Sequence, residues 1–224
     1  MQTSSNKKPG VTSSLNEGFT ISLTNAGKRF NRDWIFRNLT YVFEQGRSYA
    51  VTGPNGSGKS TLLQCIAAST QLNEGVIEYR QTSNTLIATE NIFNQLAIVA
   101  PYLEVIEEMT ACEFLRFHSS FKPLIATISI DQILEIIGLQ NAINKQIRFY
   151  SSGMKQRIKL AQAIFADTPI LLLDEPCTNL DATGYKLYHQ LINDYCSNKI
   201  IIVSSNDVNE YDFCEQKLNI LDYK

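Results

Sequence analysis

Residues 53–60, Gly53-Pro54-Asn55-Gly56-Ser57-Gly58-Lys59-Ser60, satisfy the pattern Gly, any four residues, Gly, Lys, then Ser or Thr. The chemistry that these residue types support is phosphate binding. Glycines let the backbone turn successive N–H groups inward around a phosphate, Lys59 supplies a point charge to its terminal groups, and the Ser60 hydroxyl can ligate Mg²⁺. A glycine-rich turn alone would use similar residues, so the flanks decide. Residues 48–51 form a short apolar strand that runs into the loop, and Leu62, Leu63, Ile66 and Ala67 follow at helical spacing. The N-terminus of that helix adds a favourable dipole behind the anion.

A second chemical unit stands about 115 residues after Lys59, where Ile170-Leu171-Leu172-Leu173 ends in Asp174-Glu175. At the end of an apolar strand, the first carboxylate can hold Mg²⁺ and the second can polarise the water that attacks a γ-phosphate. Asp174 is expected on the metal side and Glu175 as the base. Alone, such a pair is an ordinary solvated strand end; combined with the phosphate loop it makes a nucleotide site.

The elements that must position these residues are legible as well. Phe19-Thr20-Ile21-Ser22-Leu23 and Leu39-Thr40-Tyr41-Val42-Phe43 alternate, with a turn at Glu44-Gln45-Gly46, and read as half-buried antiparallel strands near the N-terminus. Residues 101–144 turn helical, through Glu107, Glu108 and the Phe114, Leu115, Phe117 face, then with Asp131 as the cap before Ile133, Leu134, Ile136 and Ile137, and Gly138 as the stop. The continuous apolar runs 170–173 and 200–203, flanked by helices, suit strands buried on both faces of a parallel sheet. Residues 1–18 are polar, carry no apolar run, and read as a mobile tail.

Composition narrows the function classes. Among 224 residues, 20 Lys and Arg face 22 Asp and Glu, which gives no general basic signal for nucleic acid. Apolar runs are far short of the roughly 18 residues that span a bilayer. The five cysteines, Cys65, Cys112, Cys177, Cys196 and Cys214, are spread singly, which favours free thiols over a disulfide framework or a zinc site. Cys177, beside Pro176, invites a redox reading, but a small buried residue in a tight turn suits it better. His118 and His189 lie outside the motifs and read as ordinary packed or surface residues.

From Phe19 onward the sequence resembles the nucleotide-binding domain of ABC transporters, the ATP-binding cassettes. Residues 53–61, ending in Thr61, match that family's Walker A, and Leu173-Asp174-Glu175-Pro176 its Walker B. Tyr150-Ser151-Ser152-Gly153-Met154 stands for the signature Leu-Ser-Gly-Gly-Gln, and Thr178-Asn179-Leu180-Asp181 for the D-loop. Phe30, 23 residues before Gly53, holds the place of an aromatic that stacks on adenine. The resemblance implies an α/β P-loop NTPase (RecA-like) core with a mainly parallel sheet, an N-terminal antiparallel β-subdomain, and an inserted helical subdomain over about 101–160. It implies ATP and Mg²⁺ at Walker A, with Ser151, Ser152, Gly153 and Asp181 completing the nucleotide site of a partner chain. Apart from the resemblance, Ser151 and Ser152 can cap a helix on which Met154, Ile158, Ala161 and Ile164 form a buried stripe.

Two positions depart from the family pattern. Tyr102 stands at the Q-loop glutamine, and Asn206, in Ser204-Ser205-Asn206-Asp207, stands at the switch histidine. Asn can hydrogen-bond a γ-phosphate but cannot carry positive charge. Losing one transition-state donor typically costs on the order of 100-fold in rate, so slow hydrolysis is expected. The resemblance further implies a second ATP-binding subunit, identical or different, and a transmembrane permease on a separate chain, with no nucleic-acid partner. It places the chain in the cytoplasm, against the inner face of the cell membrane. The short stretch after the last strand leaves no room for a C-terminal regulatory domain, which favours an exporter type. Two alternatives are a soluble non-transport ABC ATPase acting as a nucleotide-gated clamp or assembly factor, and an ATP-binding regulatory subunit with negligible turnover.

Overall fold

The computed structural model describes residues 18–81 and 85–224. Of the expected tail, residues 1–17 lie outside the described residues. Two sheets organise the chain. β1 (Thr20–Phe30), β2 (Asp33–Glu44), β4 (Glu74–Arg80) and β5 (Leu86–Ile87) form an antiparallel sheet in the order β2-β1-β4-β5. Between them in sequence come β3 (Ser48–Thr52) and α1 (Lys59–Ile66), which belong with the second sheet. That sheet adds β6 (Leu96–Val99), β7 (Ile170–Asp174), β8 (Ile200–Ser204) and β9 (Gln216–Asn219), all parallel, in the order β6-β7-β8-β3-β9. The fold is the expected α/β P-loop architecture.

Strict alternation along the parallel strands divides the apolar core in two. Ile170, Leu172, Ile200, Ile202, Tyr49 and Val51 face α1 and the antiparallel sheet. Their neighbours Leu171, Leu173, Ile201, Val203 and Ala50 face the opposite side, where α2 (Ala111–Phe121), α3 (Ile130–Ile136), α4 (Ser152–Ile164) and α5 (Ala182–Tyr195) pack. Every residue of β7 and β8 is buried, as their continuous apolar runs require. Each such leucine or isoleucine contributes about 1.5–3 kcal/mol on burial, so the strand ends that carry the chemistry sit on a rigid base.

Local rules explain where the helices begin, and correct three expectations. Helix does not start near Pro101. It starts after Thr110, whose hydroxyl accepts from Glu113 N while Glu113 reaches back to the Thr110 N–H, a reciprocal cap that satisfies two orphan donors. Ser129 and Gln132 form the same arrangement on α3, so Ser129 is the cap and Asp131 merely lies in the first turn. Gly138 stops that region with φ +71°, as expected. On α4, Ser151 alone is the cap, accepting from Met154 N; Ile158, Ala161 and Ile164 are fully buried, and Met154 is half-buried.

Candidate nucleotide site

β3 delivers the glycine loop and α1 receives it, with Lys59 as the first helical residue. Gly58 has φ +108°, and a Cβ there would come within 2.2 Å of Ile35 Cγ2 on β2. Glycine is therefore required on two counts, backbone conformation and the close approach of the antiparallel sheet to the loop. That approach brings the β1–β2 hairpin beside the loop, with Phe30 half-exposed at the end of β1 and Lys28 Nζ 4.9 Å from its ring centroid.

Lys59 is buried, and all three protons of its ammonium have acceptors: Gly53 O at 2.9 Å, Pro54 O at 3.3 Å and Asn206 Oδ1 at 2.9 Å. Burial lowers its pKa, opposed by the charges of Glu175 and Asp174. Asn206, after β8, also donates through Nδ2 to Asn55 Oδ1. One amide thus bridges the loop lysine and the loop asparagine. The Ser57 hydroxyl is buried inside the loop without a hydrogen-bond partner.

Asp174 ends β7 beside this loop. Its Oδ1 accepts from Ser60 Oγ at 3.0 Å and from Ser204 Oγ at 2.7 Å. A hydroxyl and a carboxylate are hard oxygen donors, and Mg²⁺ commonly takes only one or two protein ligands, completing its octahedron with water and substrate phosphate. The donor set fits that ion, and among the described residues there is no cluster of three or more His, Cys, Asp or Glu suited to a different metal.

Glu175 follows in an unusual backbone conformation, φ +45°, which side-chain-bearing residues seldom adopt. It is held by Glu175 N donating to Ser204 O at 2.9 Å and by Thr178 Oγ1 donating to Glu175 O at 2.8 Å. Its exposed side chain borders a cleft of about 330 Å³ shared with Asn55, Asn179, Tyr185, Asn206 and Glu210. A carboxylate, a lysine-bearing phosphate loop and a metal seat thus converge on one mouth of the sheet.

The signature residues are not in that cleft. Ser151, Ser152 and Gly153 border a separate one of about 460 Å³, with Lys145, Arg157 and Asp181. Only Asn179 and Leu180 border both. Gln156 Nε2 donates to Pro176 O at 2.6 Å, which ties α4 to the turn that carries Glu175. The Asp181 carboxylate caps α5 by accepting from Gly184 N at 2.8 Å, and the Thr183 hydroxyl bond chiefly holds its pKa low. Tyr102 lies exposed in the turn after β6.

Sequence reading missed Glu210 and Tyr185 at the cleft that Glu175 borders. Tyr185 Oη donates to Asp207 Oδ2 at 2.8 Å, and buried Glu210 accepts from Cys177 N at 2.8 Å. The only signal for Glu210 was its place three residues after Asp207; Tyr185 carried none. Cys177 is buried, and burial pushes its thiol pKa up, against a redox role. His189 Nε2 meets Asn209 O at 2.8 Å, and His118 is partly buried in α2, so both are ordinary packed residues.

Comparison with known proteins agrees with this geometry. The family model described as ABC transporter matches residues 36–178. An uncharacterised ABC transporter ATP-binding protein of Bacillus subtilis, YybJ, is 29% identical over 172 residues, covering 77% of this chain and 78% of that protein. The cytochrome c biogenesis ATP-binding export protein CcmA of Agrobacterium fabrum is 28% identical over 194 residues, covering 83% and 87%. Three further Bacillus subtilis relatives are longer, and the matches span 54–66% of them. The solved dimeric structure of a bacterial ABC transporter cassette, MJ0796, superposes with a TM-score of 0.74 over 89% of this chain and 94% of that one, at 24% identity.

Proposed function

The chain belongs to the ABC transporter ATP-binding family, and on that premise we propose that it is an ATPase subunit that hydrolyses ATP slowly and energises a separate permease. The observation that carries this reading is the 3.0 Å contact between Ser60 Oγ on the phosphate loop and Asp174 Oδ1 at the end of β7. It joins the phosphate-binding and metal-binding halves at one point.

In this reading the loop N–H groups of 53–61, Gly53 and Thr61 included, cradle the phosphates, and Lys59 turns one proton from Asn206 to a phosphate oxygen. Ser60 and Asp174 would hold Mg²⁺, which would supply positive charge against the phosphates. Glu175 accepts the proton of the attacking water, while Asn206 donates Nδ2 to the γ-phosphate without a positive charge. Phe30, half-exposed at the end of β1, stacks on adenine.

Placement of Ser151, Ser152 and Gly153 in a cleft apart from the phosphate loop supports a two-chain site. Each signature, carried by the helical insert over about 101–160, then closes over the γ-phosphate of a second ATP-binding subunit, with Asp181 of the 178–181 loop at the seam. Among the described residues no helix is long and apolar enough to cross a membrane; in this reading a permease on another chain supplies the membrane path, with this subunit at its cytoplasmic face. The name of the export protein among the relatives favours an exporter type. Exposed Tyr102 in place of a coupling glutamine favours, as a second reading, a non-transport ABC ATPase.

ATP hydrolysis by the purified chain against its Lys59→Ala variant tests the proposal. Mg²⁺-dependent turnover above that variant is expected, and indistinguishable rates overturn the enzyme reading. Co-purification with a multi-span protein separates transport from the second reading.

A further inference from the structure

Glu210 is a carboxylate that burial should disfavour, yet it is 4% exposed and one of its oxygens, Oε2, has no hydrogen-bond partner. Leaving a buried polar atom unpaired costs on the order of 1–3 kcal/mol, so the position calls for a compensating role. Three segments meet at this residue. Its own 3-10 turn, Val208–Glu210, follows β8 and Asn206. Its Oε1 accepts from Cys177 N at 2.8 Å, in the turn two residues after Glu175. Its carbonyl accepts from Tyr188 Oη of α5 at 2.9 Å. Burial raises its pKa, while the Ser205 hydroxyl and the Cys177 N–H favour the charged form.

We propose that Glu210 is a positioning residue for hydrolysis, which clamps the Glu175 turn to the Asn206 turn so that base and γ-phosphate donor keep one mutual geometry. The need for such a clamp lies in the backbone. Glu175 at φ +45° is in a strained conformation that persists only where its surroundings over-determine it. Glu210 reaches the next free N–H along that turn, and does so from the segment that carries the other reacting group. The proposal rests on the reading of Glu175 as the base.

The test combines amide hydrogen exchange with steady-state kinetics on the full chain carrying Glu210→Ala or Glu210→Gln. Glu210→Ala is expected to speed exchange at Cys177 by about tenfold. It should also lower kcat by on the order of 100-fold, the effect of a misplacement near 1 Å, with KM for ATP unchanged. Glu210→Gln keeps an acceptor oxygen for the Cys177 N–H and should restore most of both. Wild-type exchange in the Ala variant, faster exchange with wild-type kcat, or a Gln variant as impaired as Ala each overturns the proposal. Wild-type turnover equal to that of Lys59→Ala refutes the ATPase reading instead, and unchanged exchange at Cys177 in the Ala variant then still overturns the clamp. Should the Ala variant fail to fold, Glu210→Asp retracts the carboxylate by one methylene and is expected to loosen Cys177 and slow turnover; wild-type behaviour of that variant overturns the clamp.

Discussion

Replacing Asn206 by Ala should tighten the binding of Mg-ADP while slowing hydrolysis of ATP, a combination that follows from the donors of Lys59. All three ammonium protons are engaged, two by loop carbonyls and one by Asn206 Oδ1 at 2.9 Å. A β-phosphate oxygen must displace one of them, and the exposed side chain of Asn206, which its hydrogen bonds to Lys59 and Asn55 hold and which can turn away into solvent, yields before the backbone carbonyls do. A hydrogen bond from a charged donor is worth about 1.5–3 kcal/mol net when shielded; half-solvated as this one is, about 1 kcal/mol is the reasonable figure. Removing it should therefore strengthen ADP binding by about fivefold. ADP is the right ligand because it lacks the γ-phosphate that Asn206 would contact, so the gain is not masked by a lost contact. Isothermal titration of Mg-ADP into wild type and variant measures it. Equal or weaker binding by the variant would refute the idea that Asn206 competes with phosphate for Lys59.

Further outcomes test other parts of the argument. Asn206→His should raise kcat, on the order of the 100-fold ascribed to one transition-state donor at most; a lower rate would show that another residue has taken that role. Glu175→Gln should trap an ATP-bound dimer, seen by size-exclusion chromatography with ATP and Mg²⁺, and a strictly monomeric profile counts against the two-chain site. Gly58→Ala should destabilise the fold by about 2–5 kcal/mol, from a positive φ and a Cβ at 2.2 Å from Ile35 Cγ2; a loss below about 1 kcal/mol by denaturant titration would mean the loop relaxes freely. At pH 8 a thiol reagent should modify Cys112 rapidly and the other cysteines only after unfolding. Cys112 alone is partly exposed, while burial raises the thiol of Cys65 to about 11 and those of Cys196 and Cys214 to about 12.

What could be read directly from the chain was the chemistry that is contiguous in it. A phosphate loop must be built from neighbouring N–H groups, so residues 53–60 declare themselves, and a strand buried on both faces must be apolar throughout, so β7 and β8 do too. Elements stabilised by distant partners were harder to see. β4 has one fully buried side chain, Tyr79, and its alternation is weak; its place comes from pairing with β1 some sixty residues earlier, Thr20 against Arg80. The cap of α3 is Ser129 and not the acidic Asp131, because the Gln132 side chain reaches back to accept from the Ser129 N–H.

The same distinction governs the site. Resemblance marked Asn206 as a replaced switch residue, but its partners lie 147 and 151 positions away, at Lys59 and Asn55, and only the fold supplies them. Glu210 is the extreme case, since its partner is a backbone N–H 33 residues distant, which no side-chain pattern encodes. Groups that touch phosphate, metal or water are thus fixed by local chemistry, whereas groups that set how firmly those are held are fixed by topology. If Asn206 holds the place of a switch histidine, as proposed, it changes both classes at once: it removes a charge that the reaction could use, and its Oδ1 accepts from Lys59. The effect of the replacement on rate therefore cannot be assigned to the missing charge alone, and hydrolysis by Asn206→His and ADP binding by Asn206→Ala must be measured as separate quantities.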